Sequence, residues 1–311
     1  MNAPVIDIGG THVTAALVDT AQWRTTDGTR HRTPLRSDGS AAAIVRSFAT
    51  AIQRLGDVGT SILGISMPGP FDYDAGIGRF HGVGKFDALN GVDVGSALRS
   101  ALAVPPASIV FVNDALAFTI GEWVAGAAMG AARAVGITLG TGVGSAFLAD
   151  GRRVSAGPSV PPDGHVHRLR VGGRPLEDVV SRRAIVAAYQ SATACRAGVD
   201  VNMVARYATD GDATARRVLD HAVGALGKAL GPWLARFNAD VLVVGGGMTA
   251  SWDLIEPALR ASLFRASSVK GPAWTGGTLV RSADSEESIL IGAAWHAANS
   301  RTDTSVTGSE E

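Results

Sequence analysis

The first place in this chain where chemistry could be done is an aspartate at the end of an apolar run. Ile109, Val110, Phe111 and Val112 are rich in β-branching and read as a buried strand that runs straight into Asn113 and Asp114. Ala115 to Ala128, mostly Ala, Phe, Ile and Trp, reads as the helix that follows. Open α/β sheets hold their ligands at the carboxyl ends of strands. There the Asp114 carboxylate could take a proton from a bound hydroxyl, and Asn113 could hold the neighbouring hydroxyls. The same position also suits an aspartate that only caps a helix. Taken alone, the segment favours the capping reading, and the rest of the chain reverses that.

Three glycine signals surround it. Val5 to Ile8 is a short strand that turns at Gly9, Gly10 and Thr11 into a second strand, Val13 to Asp19. Backbone N–H groups at such a tip can approach an anion, and Thr11 adds a hydroxyl donor. Asp7 is placed to hold Mg²⁺ through water, since that ion keeps much of its hydration shell. An ordinary Gly-Gly hairpin accounts for the same residues equally well. Arg133 to Leu148 repeats the logic, with Gly140, Thr141, Gly142 and Gly144 at the tip. Two such units, one in each half with a strand-end Asp between them, suggest duplicated halves that grip a phosphate chain from both sides. The third signal is the strand Asp240 to Val244 ending in Gly245, Gly246 and Gly247, against which a base and ribose could lie.

The elements that must position these residues follow from pattern. Arg24 to Gly39 is polar and irregular, a candidate third strand and a loop. Ala41 to Leu55 is a helix with Ile44, Val45, Phe48, Ile52 and Leu55 on one face. Ser61 to Met67 is a strand stopped by Pro68-Gly69-Pro70. Phe71 to Asn90 lacks periodicity and reads as a surface loop near a cleft. His81, Lys85, Asp87 and Asn90 are candidate contacts there, though solvated loop residues are the plainer account of each. Val92 to Ala103 is a helix ended by Pro105-Pro106. Gly157 to Gly173 is a long loop carrying Asp163, His165 and His167. Two histidines at i and i+2 could both ligate a metal in a strand, but no cysteine lies near. Leu176 to Tyr189 reads as one helix, with Glu177 and Asp178 suiting its N-terminus. Asp212 to Phe237 is a long helix with Lys228 and Arg236 toward solvent, kinked or divided at Pro232. Trp252 to Leu263 and Ser288 to Ala298 are helices, and Gly292 in the latter permits close packing. The tail from Ser300 to Glu311 reads as disordered.

Composition sets the frame. A chain of 311 residues exceeds the usual size of one core, so two domains are expected. Hydrophobic residues make up 46% and charged residues 18%, below the typical ~25%, so a sizeable core can form. Net charge is +0, which makes nucleic acid a poor partner. A single cysteine, Cys195, excludes an intrachain disulfide and a cysteine-based zinc knuckle. Met1-Asn2-Ala3-Pro4 shows no signal peptide, and no run reaches the ~18 apolar residues of a membrane span. The expectation is a cytoplasmic protein.

Asp7-Ile8-Gly9-Gly10-Thr11, Asn113-Asp114, Leu139-Gly140-Thr141-Gly142-Val143-Gly144 and Val243-Val244-Gly245-Gly246-Gly247 together resemble the ROK family (repressors, open reading frames, kinases) in order and spacing. The resemblance covers nearly the whole chain. It implies a two-domain α/β fold of the actin-like ATPase type, with an interdomain cleft. Residues 1–118, completed by a helix over 288–299, would form the smaller domain and 119–287 the larger. Asp7 to Thr11 and Gly140 to Gly144 would be the phosphate motifs, Gly245 to Gly247 the adenosine motif, and Asp114 the base toward a sugar hydroxyl. Gly69, Asn113, His165 and Glu177 would contact the sugar. The implied reaction is ATP- and Mg²⁺-dependent phosphorylation of a hexose or hexosamine, by glucokinase likeness at the 6-hydroxyl. A homodimer or larger assembly is the family habit.

The chain departs from that pattern at one place. Kinases of the family commonly carry Glu-x-Gly-His and then a cysteine-rich, zinc-binding segment. Here Gly164-His165 survives, but Pro162 stands where the first Glu is expected, and Val171 to Glu177 holds no cysteine. A structural zinc is therefore not expected, and Asp163 is the candidate stand-in for the missing Glu, given a shifted loop. Rival readings are a DNA-binding repressor, a weak sugar-binding regulator, and a hexokinase using polyphosphate. The repressor reading lacks room for a helix-turn-helix before Asp7, and no Lys/Arg run marks a polyphosphate path.

Overall fold

The computed structural model describes residues 1–193, 198–265 and 274–300. Cys195 and the expected disordered tail beyond residue 300 lie outside the described residues. The chain divides into two compact units, Met1–Ala125 with the chain from Glu286 onward, and Gly126–Ser285.

In the first unit, β1 (Asn2–Ile8) and β2 (His12–Asp19) pair antiparallel, and β3 (Arg24–Thr25) and β4 (His31–Pro34) add to the far side of β2. The polar stretch read as a candidate third strand and a loop thus supplies two short strands. Helix α1 (Ala41–Gln53) is capped by Ser40, whose Oγ accepts from Ala43 N, and it buries Ile44, Val45, Phe48 and Ile52. Strand β5 (Ile62–Met67) runs parallel to β1. The small hairpin β6 (Phe71–Asp72) and β7 (Ile77–Gly78) comes next, then α2 (Val94–Ala101), capped by Asp93. Strand β8 (Ser108–Asn113) lies parallel to β5 and runs directly into α3 (Asp114–Ala125). The sheet order is β3-β2-β1-β5-β8, with β4 also on β2. Because β1, β5 and β8 are parallel, Gly9, Gly69 and Asp114 all follow strand ends on one sheet edge.

Residues 71–90 are not the surface loop expected. Phe80, Phe86 and Leu89 are fully buried and Phe71 nearly so, and Phe71 stacks at 5.0 Å on Phe111. These apolar residues are spaced by Gly and Asp, so they fill the core without a helical or strand period.

The second unit repeats the pattern. Strands β9 (Arg133–Leu139) and β10 (Val143–Ala149) form the hairpin, with β11 (Arg152–Arg153) beside β10. Strands β12 (Arg170–Val171) and β13 (Arg174–Pro175) make a two-stranded ribbon within the stretch expected to be a loop. The single helix expected from Leu176 to Tyr189 is two, α4 (Glu177–Val180) and α5 (Arg182–Thr193). The break is Ser181, which is extended at φ −64° and ψ 156°; its carbonyl and hydroxyl then accept the first N–H groups of α5. Helix α6 (Val201–Thr209) was not anticipated, although Val201, Val204, Ala205 and Ala208 carry a helical period. Helix α7 (Ala213–Phe237) continues through Pro232 undivided, with Lys228 and Arg236 exposed as expected. Strand β14 (Val241–Gly245) pairs parallel with β9, and α8 (Trp252–Arg265) crosses α7 where Gly227 meets Ser262. Strand β15 (Thr278–Arg281), too short to stand out in the sequence, completes the order β11-β10-β9-β14-β15.

Helix α9 (Ser285–Asn299) belongs to the first unit from Glu286 onward. A Cβ on Gly292 would overlap the Ala117 carbonyl, and one on Gly121 the Ser288 carbonyl, so α3 and α9 pack backbone to backbone. The boundary expected at residue 118 falls inside α3; the units divide at its end instead, since α3 is tied to α9 along its length. Each unit has its own apolar core. Among the described residues no helix is long and apolar enough to cross a membrane.

Candidate active site

Asn113 and Asp114 divide the two roles that the sequence left open. Asn113 is the helix cap: its Oδ1 accepts from Ala115 N (3.1 Å) and Leu116 N (3.2 Å). Its Nδ2 donates to Tyr73 Oη (3.0 Å) and to Asp114 Oδ1 (2.9 Å). Its two donors and two acceptor sites are thus all engaged within the chain, and these bonds hold Asn113 against Asp114. Oδ1 of Asp114 also accepts from Ala115 N (2.9 Å), and no hydrogen bond to Oδ2 is made among the described residues. Burial raises the Asp114 pKa, while the Ala115 N–H and the charge of Lys85 act to lower it. Lys85 is thus the one residue among His81, Lys85, Asp87 and Asn90 that bears on Asp114. The other three are exposed, and Asp87 is used to hold Val83 N. Gly69 lies nearby, since a Cβ on it would stand 3.4 Å from the hydroxyl of Tyr73, which itself donates to Met67 O. Tyr73 escaped the sequence reading because nothing in its surroundings has motif spacing.

Asp7 sits at the same sheet edge. Register places it beside Ser66, a fully buried residue whose Oγ donates to Asp7 Oδ1 at 2.7 Å. Burial lifts the Asp7 pKa to about 7, opposed by the Ser66 hydrogen bond and assisted by the charges of Asp114 and Glu286. Two neighbouring carboxylates that resist ionising are the donor set a hard divalent cation relieves. Mg²⁺ takes one or two carboxylates and completes its shell with water and phosphate oxygens, so Asp7 fits that ion. The turn beyond is tight, with Gly9 N donating to His12 O at 3.0 Å. Gly10 has open space where a side chain would be, and Thr11 is exposed with its Oγ1 3.2 Å from His12 Nδ1.

In the second unit the glycine signals come together. Gly140 N donates to Gly142 O (3.0 Å), closing the tip at Thr141, and Gly140 again has open space beside it. Gly246 has φ +89°, and a Cβ on it would stand 2.5 Å from Leu139 O, so the turn after Gly245 lies on the strand end that leads into Gly140. Ser285 Oγ accepts from Gly246 N (3.0 Å), and Thr249 Oγ1 donates to Gly246 O (2.8 Å). Gly247 is packed by the guanidinium of Arg182.

Glu177 also reaches this turn. Its Oε1 accepts from Val143 N (3.3 Å) and occupies the space a Gly142 side chain would need. His167 feels the Glu177 charge, and the His165 and His167 rings lie 5.0 Å apart. Ser145 places them: its Oγ donates to Gly164 O (2.6 Å) and accepts from Val166 N (2.9 Å). Burial and the neighbouring cations push the His165 pKa down to about 4, so the ring is neutral near pH 7. Its Nδ1 is buried with no hydrogen-bond partner among the described residues. Asp163, at φ +58°, turns its carboxylate to Arg168 Nη1 (3.2 Å) and lies 3.9 Å from His165 Nδ1. It is 65% exposed and pairs with Arg168.

A model described as the ROK family matches residues 4–300. A glucokinase from Thermotoga maritima is 29% identical over 276 residues, covering 82% of this chain and 84% of that protein. A ROK hexokinase from Thermus thermophilus has a similar structure, with a TM-score of 0.73 at 24% identity over 97% of this chain and 100% of that one. A ROK family glucokinase from Streptomyces griseus, solved in complex with glucose and AMPPNP, gives 0.76 at 23% identity over 96% and 99%. With the family's model spanning nearly its whole length, the chain belongs to the ROK family and has the actin-like α/β fold of that family's sugar kinases.

Proposed function

We propose that this protein is an ATP-dependent sugar kinase acting on a hexose or hexosamine hydroxyl, with the 6-hydroxyl of glucose or a close analogue as the first candidate. The observation that carries the reading is Asp114, a carboxylate fixed through Oδ1 by Asn113 and the α3 N-terminus, with Oδ2 left without a protein donor.

Asp114 accepts the proton of the sugar hydroxyl as that oxygen bonds to the γ-phosphorus and the bond to the ADP oxygen breaks. The N–H groups at the Gly9–Thr11 and Gly140–Gly142 tips offset phosphate charge, so most of the rate enhancement is positioning and electrostatics. Asp7 would hold Mg²⁺, which supplies charge neutralisation on the phosphate oxygens. Neutral His165 offers Nε2 to a sugar hydroxyl, since its Nδ1 is buried. Glu177 spends Oε1 on the phosphate tip and keeps Oε2 for the sugar. We assign no zinc to the loop that carries His165, since Ser145 and the buried Val160, Val166 and Leu176 anchor it.

The test is phosphoryl transfer from ATP and Mg²⁺ to glucose, mannose, N-acetylglucosamine, N-acetylmannosamine, fructose and allose, with a polyphosphate arm. Asp114→Asn should lower kcat by roughly 10²–10⁴-fold with sugar affinity retained. No turnover on any sugar, with calorimetry still showing sugar binding, would replace the kinase by a sugar-binding regulator.

A further inference from the structure

Arg182 is the first residue of α5, and its backbone N–H donates to Gly140 O at 3.1 Å. The extended Ser181 turns the chain so that this contact can form, tying the start of α5 to the tip of the β9–β10 hairpin. The side chain then crosses to the other glycine turn. A Cβ built on Gly247 would stand 2.5 Å from Arg182 Nη2 and 3.7 Å from its Cζ, so the guanidinium rests on the Gly247 α-carbon. One residue therefore touches both turns, by its backbone on one side and its charge on the other.

That charge is unspent. Arg182 Nε is buried, and among the described residues it has no hydrogen-bond partner and no carboxylate pairs with the guanidinium. Glu177, five residues earlier, is turned to Val143 N instead. An orphaned buried donor on a permanent cation is costly in a folded protein unless an acceptor completes it. A guanidinium is a planar fork matched to phosphate oxygens, and with Nε shielded the two Nη groups are the donors a phosphate can reach.

We propose that Arg182 binds the phosphate chain of the donor nucleotide. The inference rests on the reading of the chain as a nucleotide-using kinase and adds a contact that none of the glycine motifs supplies. It also gives Gly247 a reason to be glycine, because a side chain there would push the guanidinium off its place.

The test compares binding of ADP, AMP and adenosine to the unmodified full-length chain and to Arg182→Gln, Arg182→Lys and Gly247→Ala, by calorimetry with melting temperature in parallel. Arg182→Gln should weaken ADP by roughly 10–100-fold, the range expected for hydrogen bonds to a charged group, and leave adenosine within about twofold. Arg182→Lys keeps the charge without the fork and should fall between. Gly247→Ala should weaken ADP in the same direction with little change in melting temperature, since the atom it displaces is the end of a flexible side chain. ADP affinity unchanged in both Arg182 variants would overturn the proposal. An equal loss for adenosine and ADP would also overturn it, by moving the guanidinium to the base or to a structural role. An unmodified chain that binds sugar but no ADP would instead bring down the kinase reading, and this inference with it.

Discussion

At the scale of single residues, burial raises the pKa of both acids at the first unit's sheet edge, and the charge of Asp114 raises that of Asp7 further. Asp114 must be ionised to accept a proton, and the charge of Lys85 is what acts at a distance to keep it so. Lys85→Met should therefore move the acidic limb of kcat/KM to higher pH, read from a pH–rate profile, with little change at the alkaline plateau. Asp7 carries the same cost. Its folded pKa of about 7 lies above the ordinary 3.8. The folded chain thus keeps a proton that the unfolded chain releases between those values. Stability then falls as pH rises through that window, by about 4 kcal/mol at most, and partial exposure of Asp7 reduces the figure. Asp7→Asn should melt above the unmodified protein at pH 8, lose that advantage toward pH 4, and have lost turnover throughout.

At the scale of elements, the turns are fixed by close backbone approach. Gly246 combines a left-handed φ with a carbonyl 2.5 Å from where its Cβ would be, and backbone cannot step aside as a side chain can. Gly246→Ala should cost about 2–4 kcal/mol in denaturant unfolding and weaken nucleotide binding together. This contrasts with Gly247→Ala, where the obstacle is a flexible side-chain end. The Ser181 break works in the same way, since one continuous helix over 176–189 would not turn the Arg182 N–H toward Gly140 O.

At the scale of the whole molecule, one sheet plan is used twice, and each unit closes its own core. The first unit is not continuous in sequence, because it needs α9. Leu290, Ile291, Ala293, Ala294 and Ala297 are buried there, and Gly292 lets the α9 backbone meet Ala117 of α3. Gly292→Val should force α9 and α3 apart and cost at least ~3 kcal/mol by overpacking. Circular dichroism melts would show the lower transition, and a variant as stable as the parent would contradict the backbone-to-backbone packing.

The sequence by itself determined the long apolar strands, the glycine turns at their ends and the doubling of the plan, because these are local. A buried strand must be an apolar run, and a turn pressed against backbone must be glycine. Asp7, Asp114 and the three glycine signals were legible for that reason. Partnership was not. Ser66 beside Asp7, Tyr73 on Asn113, Lys85 near Asp114 and Arg182 on Gly247 join residues distant in the chain that share no motif. The aromatic packing of 71–90 and the split at Ser181 were hidden in the same way, since neither leaves a period in the sequence. Hydrogen-bond saturation also has to be counted in three dimensions, and only that count shows Asn113 engaged with Tyr73, Asp114 and the N-terminus of α3.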